Sequence, residues 1–198
     1  EDVDSGVQRA AIDAIAIRAQ MALEDEAIEA PEHPELVPTF VELANQPDDL
    51  IRSQTAYALG VLTQLDEADA RLTAELEKLV DDLHTDTRYN AALAMERQGS
   101  LTAVDAMCEM LDRDAIEMSV SREQSPGRQT YKRNTIIRNA LESAGTIQKQ
   151  NPEEELPELK SAIEDFIAEA PDWDNYDRSL KVLVEQAREV LAEFGNSL

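Results

Sequence analysis

Catalysis needs a polarised nucleophile, a base that titrates near neutrality, or a bound metal. The residues of those types are few in this chain and scattered. His33 and His84 lie fifty-one residues apart in predicted loops, and with a single cysteine elsewhere they give no zinc-like spacing. Both read as surface histidines. Cys108, in AVDAMCEML, sits with Val104, Met107 and Leu111 on a predicted helix and reads as a small buried hydrophobe rather than a nucleophile. No serine has a histidine or lysine arranged around it, and no glycine loop could cradle a phosphate. Three acidic groups (Glu24, Asp25 and Glu26; Asp81 and Asp82; Glu153, Glu154 and Glu155) read as solvated faces or helix starts. Asp172, Asp174 and Asp177 in APDWDNYDRS come nearest to a calcium loop but lack its central glycine and distal glutamate. That segment reads as a capped turn in which Trp173 and Tyr176 cover the last helix.

The remaining binding chemistry is basic. Residues 122–138 hold Arg122, Arg128, Lys132, Arg133 and Arg138 against Glu123 alone, a local charge of +4 in a chain of −24. Guanidinium groups present a planar fork to carboxylates and phosphates. Arg122, Arg128, Tyr131, Lys132, Asn134 and Arg138 are therefore candidate partner-binding residues for a carboxylate-rich peptide or a phosphate. The competing reading, left open by the sequence, pairs these cations internally with the abundant acids.

The rest of the chain carries −28, and its 42 acids against 18 bases would repel a phosphate backbone, so nucleic acid is not the expected partner. The acidity reads as a solubility device, with an acidic face for a basic partner as the alternative. No run of eighteen apolar residues occurs, so no membrane span or membrane partner is expected. The 198 residues suit one domain, 1–198, and a composition 42% hydrophobic but only 4% aromatic suits close-packed helices. The single cysteine forms no internal disulfide and fits a reducing cytoplasm; a chain beginning with Glu1 leaves room for a removed targeting segment. No cofactor is expected.

The elements that must position these residues show themselves as an internal repeat. IRSQTAYALGVL from Ile51, TRYNAALAMERQG from Thr87 and KRNTIIRNALESAG from Lys132 align on Arg52, Arg88 and Arg133. Four residues on come Ala56, Ala92 and Ile137, and seven on come Leu59, Met95 and Ala140, which is one stripe on one helix face. VQRAAIDAIAI supplies a fourth copy with Val7, Gln8, Ile12 and Ile15, and LVEQAREVLAEFG a weaker fifth with Ala187 and Val190. Between them ELVPTFVELA and EELPELKSAIEDFI begin with Pro38 and Pro157, which a first turn tolerates. Asn151 and Pro152 read as a cap and first position, and Gly99, Gly145 and Gly195 as helix ends. The spacing predicts helices over 6–30, 34–46, 48–65, 67–83, 86–98, 101–112, 130–150, 152–169 and 175–195. These alternate as outer A and inner B helices, with a basic loop inserted at 113–129.

PDDLIRSQTAYALGVL, with Asp48, Ile51, Arg52, Ala56, Ala58, Leu59 and Gly60, resembles the second helix of a HEAT repeat in the form also found in bilin lyases. His84 stands where Asp48 would be and Glu96 where Gly60 would be. The resemblance implies an all-α fold, a right-handed α-solenoid of about four to five helix pairs. It further implies a structural ladder in which Arg52, Arg88 and Arg133 reach an aspartate or backbone carbonyls of the adjoining repeat, with Asp48 and Asp86 as nearby acids. The function expected is a non-catalytic scaffold binding a protein or peptide in its concave groove, with the basic island at one rim. Two alternatives also follow from the resemblance. One is an accessory lyase that handles a bilin or other anionic prosthetic group, with Arg128 and Arg133 on its propionates and Asp86 as an acid. The other is a DNA-repair protein, which the charge disfavours.

Overall fold

The structure is a computed structural model that describes residues 4–65, 69–173 and 176–195. The described residues form ten α-helices and two short 3-10 turns, and no strand. They pack as two compact units that divide between Met95 and Glu96.

In the first unit α1 (Ser5–Glu24) lies against α3 (Asp49–Leu62), α2 (Leu36–Ala44) against α4 (Ala70–Leu79), and α3 packs on both α2 and α4. This is the two-layer arrangement of stacked helix pairs. Residues of α5 (Thr85–Arg97) continue the inner row: the Asn90 amide donates to the Ser53 carbonyl at 3.0 Å and the Thr87 hydroxyl to the Asp49 carbonyl at 3.4 Å. The stripe positions seal the stack. Ala56, Leu59 and Ala92 are fully buried, as are Leu62 and Leu76 nearby. Truncating such a leucine costs about 2–5 kcal/mol.

In the second unit α8 (Pro126–Gln150) packs on α10 (Arg178–Gly195), α9 (Pro157–Glu169) on α10 and on α6 (Val104–Glu109), and α7 (Arg113–Val120) on α8. Ile137, Ala140 and Ala187 fill the stripe, all with no exposed surface. Trp173 meets Phe166 edge-on, with centroids 5.7 Å apart, and Lys181 stands over Tyr176; Asp174 lies outside the described residues.

Several boundaries differ from those expected, each for a local reason. α1 stops at Glu24 rather than 30, because Asp25 is extended and three acids in a row oppose the negative end of a helix dipole. The expected basic loop at 113–129 is mostly helix. Asp112 accepts the Ala115 N–H and starts α7, while Ser125 caps α8 with Pro126 at its first position, so only residues 121–125 link them. Asn151 ends α8 instead of starting α9: its amide donates to the Ile147 carbonyl at 3.0 Å, and α9 begins at Pro157. Gly145 is no helix end. It lies inside α8 where α10 crosses, and a Cβ there would stand 3.2 Å from a Glu193 carboxylate oxygen. Gly99, with φ 72°, does end α5, as an L side chain at that backbone conformation would not readily do.

Glu96 stands where the first repeat has Gly60, and it is buried with the Ser143 hydroxyl 3.5 Å from its carboxylate. Burial raises its carboxyl above the ordinary value of 4.5, and Arg97 only partly opposes this. A carboxyl raised in the folded state binds its proton more tightly there, so stability falls as pH rises from about 4.5 through the raised value. Glu96→Gln is therefore expected to raise stability at pH 7 by about 1 kcal/mol and to flatten its pH dependence above pH 5. Thermal melts of both proteins across pH 4 to 8 check this.

Candidate functional site

The repeat arginines Arg52 and Arg88 are held by the backbone of their own repeats. Arg52 donates through Nε and one terminal nitrogen to the two oxygens of Asp82 at 2.7 and 2.9 Å. Its other terminal nitrogen donates to the carbonyls of Gln46 and Pro47 at 2.8 and 3.0 Å. Asp82 Oδ1 also accepts the His84 backbone N–H at 2.8 Å, and the Asp82 carbonyl accepts Arg88 at 2.7 Å. Arg88 and Asp82 each stand thirty-six residues after Arg52 and Gln46, so the contact from an arginine to the carbonyl six residues before it recurs. Asp82 joins the two copies. Burial alone would raise its carboxyl, but the hydrogen bonds from Arg52 and from His84 N–H hold it below the ordinary value.

Asp48, expected beside Arg52, caps α3 by accepting Leu50 and Ile51 N–H and acts on Arg52 only through space. Asp86 lies in the first turn of α5. The acid that pairs with Arg52 is Asp82, and its signal was present in the sequence: it occupies the place of Gln46, six residues before the next repeat arginine. His84 is not a surface residue. It is buried, with Nδ1 3.1 Å from the Thr87 hydroxyl and Nε2 3.7 Å from Asp49, because it fills the cap position before α5 that Asp48 fills before α3. His33 is exposed and accepts the Glu35 N–H.

Arg133 is 2% exposed. Its Nε donates to Asn134 Oδ1 at 3.1 Å and a terminal nitrogen stands 3.5 Å from Asp177. The Asn134 amide donates to the Ser179 hydroxyl at 2.8 Å, and Asp177 accepts that hydroxyl and the Leu180 N–H. Bonds from Ser179 and Leu180, with Arg133 nearby, hold the Asp177 carboxyl low. Asn134, expected to bind a partner, thus belongs to the joint between the starts of α8 and α10. Arg133 lies too deep to hold a propionate, so the arrangement expected for a prosthetic group is not assembled.

The remaining island residues sort by exposure. Lys132 donates to the Ser119 carbonyl at 3.1 Å and stands 3.8 Å from Glu123, and Arg122, exposed in the turn after α7, is engaged as well. Arg128, Tyr131 and Arg138 line one outward side of α8; Tyr131 is 73% exposed, and Arg128 and Arg138 have no ion-pair partner among the described residues. Internal pairing therefore accounts for part of the island and leaves an open stripe.

Cys108 is half-buried, and desolvation with the nearby Asp105 and Glu158 pushes its thiol up to about 11, far from an activated thiolate. Among the described residues no group of three or more His, Cys, Asp or Glu is placed to hold a metal ion, and no helix is long and apolar enough to cross a membrane.

Comparison with known proteins agrees with the repeat. Residues 5–62, which span α1, α2 and α3, match the model of the HEAT-like repeat. No curated protein matches the chain. HEAT-like repeats commonly mediate protein interactions or scaffolding. Residues 5–62 thus carry a HEAT-like repeat, and the arginine-led helices that follow repeat its pattern.

Proposed function

We propose that this protein is a non-catalytic interaction module that holds an acidic segment of a partner protein along the outward side of α8. The observation that carries this is the division of one basic stretch into two parts. Arg133 and Asn134 are consumed by the fold, while Arg128, Tyr131 and Arg138 stay open on one side of the same helix. Ten residues of helix set the two arginines about 15 Å apart, a span that an extended segment of about five residues covers. Tyr131 between them offers an aromatic anchor of low conformational entropy. The acidity of the rest of the chain does not forbid this, since charges farther off than about 8 Å are screened at physiological salt.

The test is fluorescence anisotropy with a labelled acidic peptide of about ten residues. Binding is expected to weaken about tenfold in Arg128→Glu/Arg138→Glu, each reversal acting at close range, and to fall as salt rises. Binding that ignores both changes removes the stripe from the account.

A further inference from the structure

The far end of α8 carries a second feature, independent of the stripe. A cavity of about 370 Å³ opens between the end of α8, the 152–157 turn and Phe194 of α10. Gln148 lines it, is 6% exposed, and makes no hydrogen bond to any described residue. The rest of the side chain is enclosed, so a group that enters the cavity can hydrogen-bond its amide. Leu156 and Phe194 give the cavity apolar wall, and Glu153, Glu154 and Glu155 surround it with carboxylates against Lys160 alone. The negative end of the α8 dipole adds to that field.

We propose that this cavity receives an arginine side chain of a partner protein. The chemistry matches part by part. The methylene stem of an arginine packs on Leu156 and Phe194 while its charged head stays among the carboxylates. The guanidinium, with five donors and no acceptor, gives the Gln148 carbonyl the hydrogen bond it lacks and still reaches a glutamate. A lysine, with a compact and more strongly hydrated charge, fits the apolar wall less well.

The experiment is a titration of the full chain, labelled with nitrogen-15, with N-acetyl-arginine amide, N-acetyl-lysine amide, the neutral N-acetyl-citrulline amide and free arginine. The expected result is a saturable shift of the Gln148 side-chain amide and of the 152–157 turn with the blocked arginine, weaker with lysine and absent with citrulline. Affinity should fall about tenfold in Gln148→Leu and in Glu153→Gln/Glu154→Gln/Glu155→Gln. It should rise in Lys160→Ala, an exposed change that leaves the fold intact and so keeps the test open if Gln148→Leu folds poorly. No shift at millimolar ligand, equal shifts with citrulline, or indifference to both Gln148→Leu and Lys160→Ala would overturn the proposal. Free arginine binding more tightly than the blocked form would overturn a protein as its source. Loss of the acidic-peptide binding on the α8 stripe would leave this site untouched.

Discussion

Replacing Arg133 with alanine is expected to destabilise the second unit by about 3–5 kcal/mol, the range for breaking a buried charge network by removing one member. The side chain is almost wholly buried, so its loss opens a cavity as well as cutting the joint between α8 and α10. Asn134 keeps its bond to Ser179, and Asp177 is 48% exposed and can be solvated, so Arg133→Met should recover about half of the loss. Arg138→Ala, on the open stripe, should stay within about 0.5 kcal/mol of the parent. The single tryptophan, Trp173, packs on Phe166 in the same unit and reports its urea unfolding directly. Equal midpoints for Arg133→Ala and Arg138→Ala would contradict a structural role for the buried Arg133.

Asp82→Ala is the counterpart in the first unit, with an expected cost of about 2–4 kcal/mol. It strands Arg52, whose side chain is 16% exposed, and removes the acceptor of the His84 N–H. A cycle of Arg52→Ala, Asp82→Ala and the double variant should give a coupling of about 1–3 kcal/mol, because two parallel hydrogen bonds are shared. The pair also sets an acid limit. Asp82 is held below its ordinary 3.8, so its contribution is complete above that pH and is lost as pH falls through the lowered value. Asp82→Asn should lose that acid dependence. The far-UV signal followed from pH 6 to 2 measures it.

The sequence read well where a residue's role depends on helical period. Ala56, Ala92, Ile137, Leu59, Met95 and Ala140 were placed by spacing of four and seven from an arginine, and all six are buried. It read poorly where a role depends on which chain terminus a signal belongs to. Asn151 and Pro152 carry the residue types of a helix start, yet Asn151 caps the end of α8, its amide donating to the Ile147 carbonyl, and α9 begins only at Pro157. Ser125 and Pro126 carry the same types and do start a helix, within what looked like a loop of glycine, serine and proline. Burial of polar side chains was the least legible. Asn134 and Tyr131 are three residues apart and equally able to bind, and only the position of α10 assigns one to the fold and the other to solvent.

The central claim is that the open side of α8, and not the repeat arginines, meets a partner. Its most direct test is recovery of bound proteins by the intact chain, by Arg128→Glu/Tyr131→Ala/Arg138→Glu, and by the exposed control Lys181→Glu, with the binding segments mapped by crosslinking. The account predicts partners crosslinked to α8 through acidic segments, retained by the control and lost only from the triple variant. The same partners recovered by all three proteins, or crosslinks that avoid α8, would contradict it.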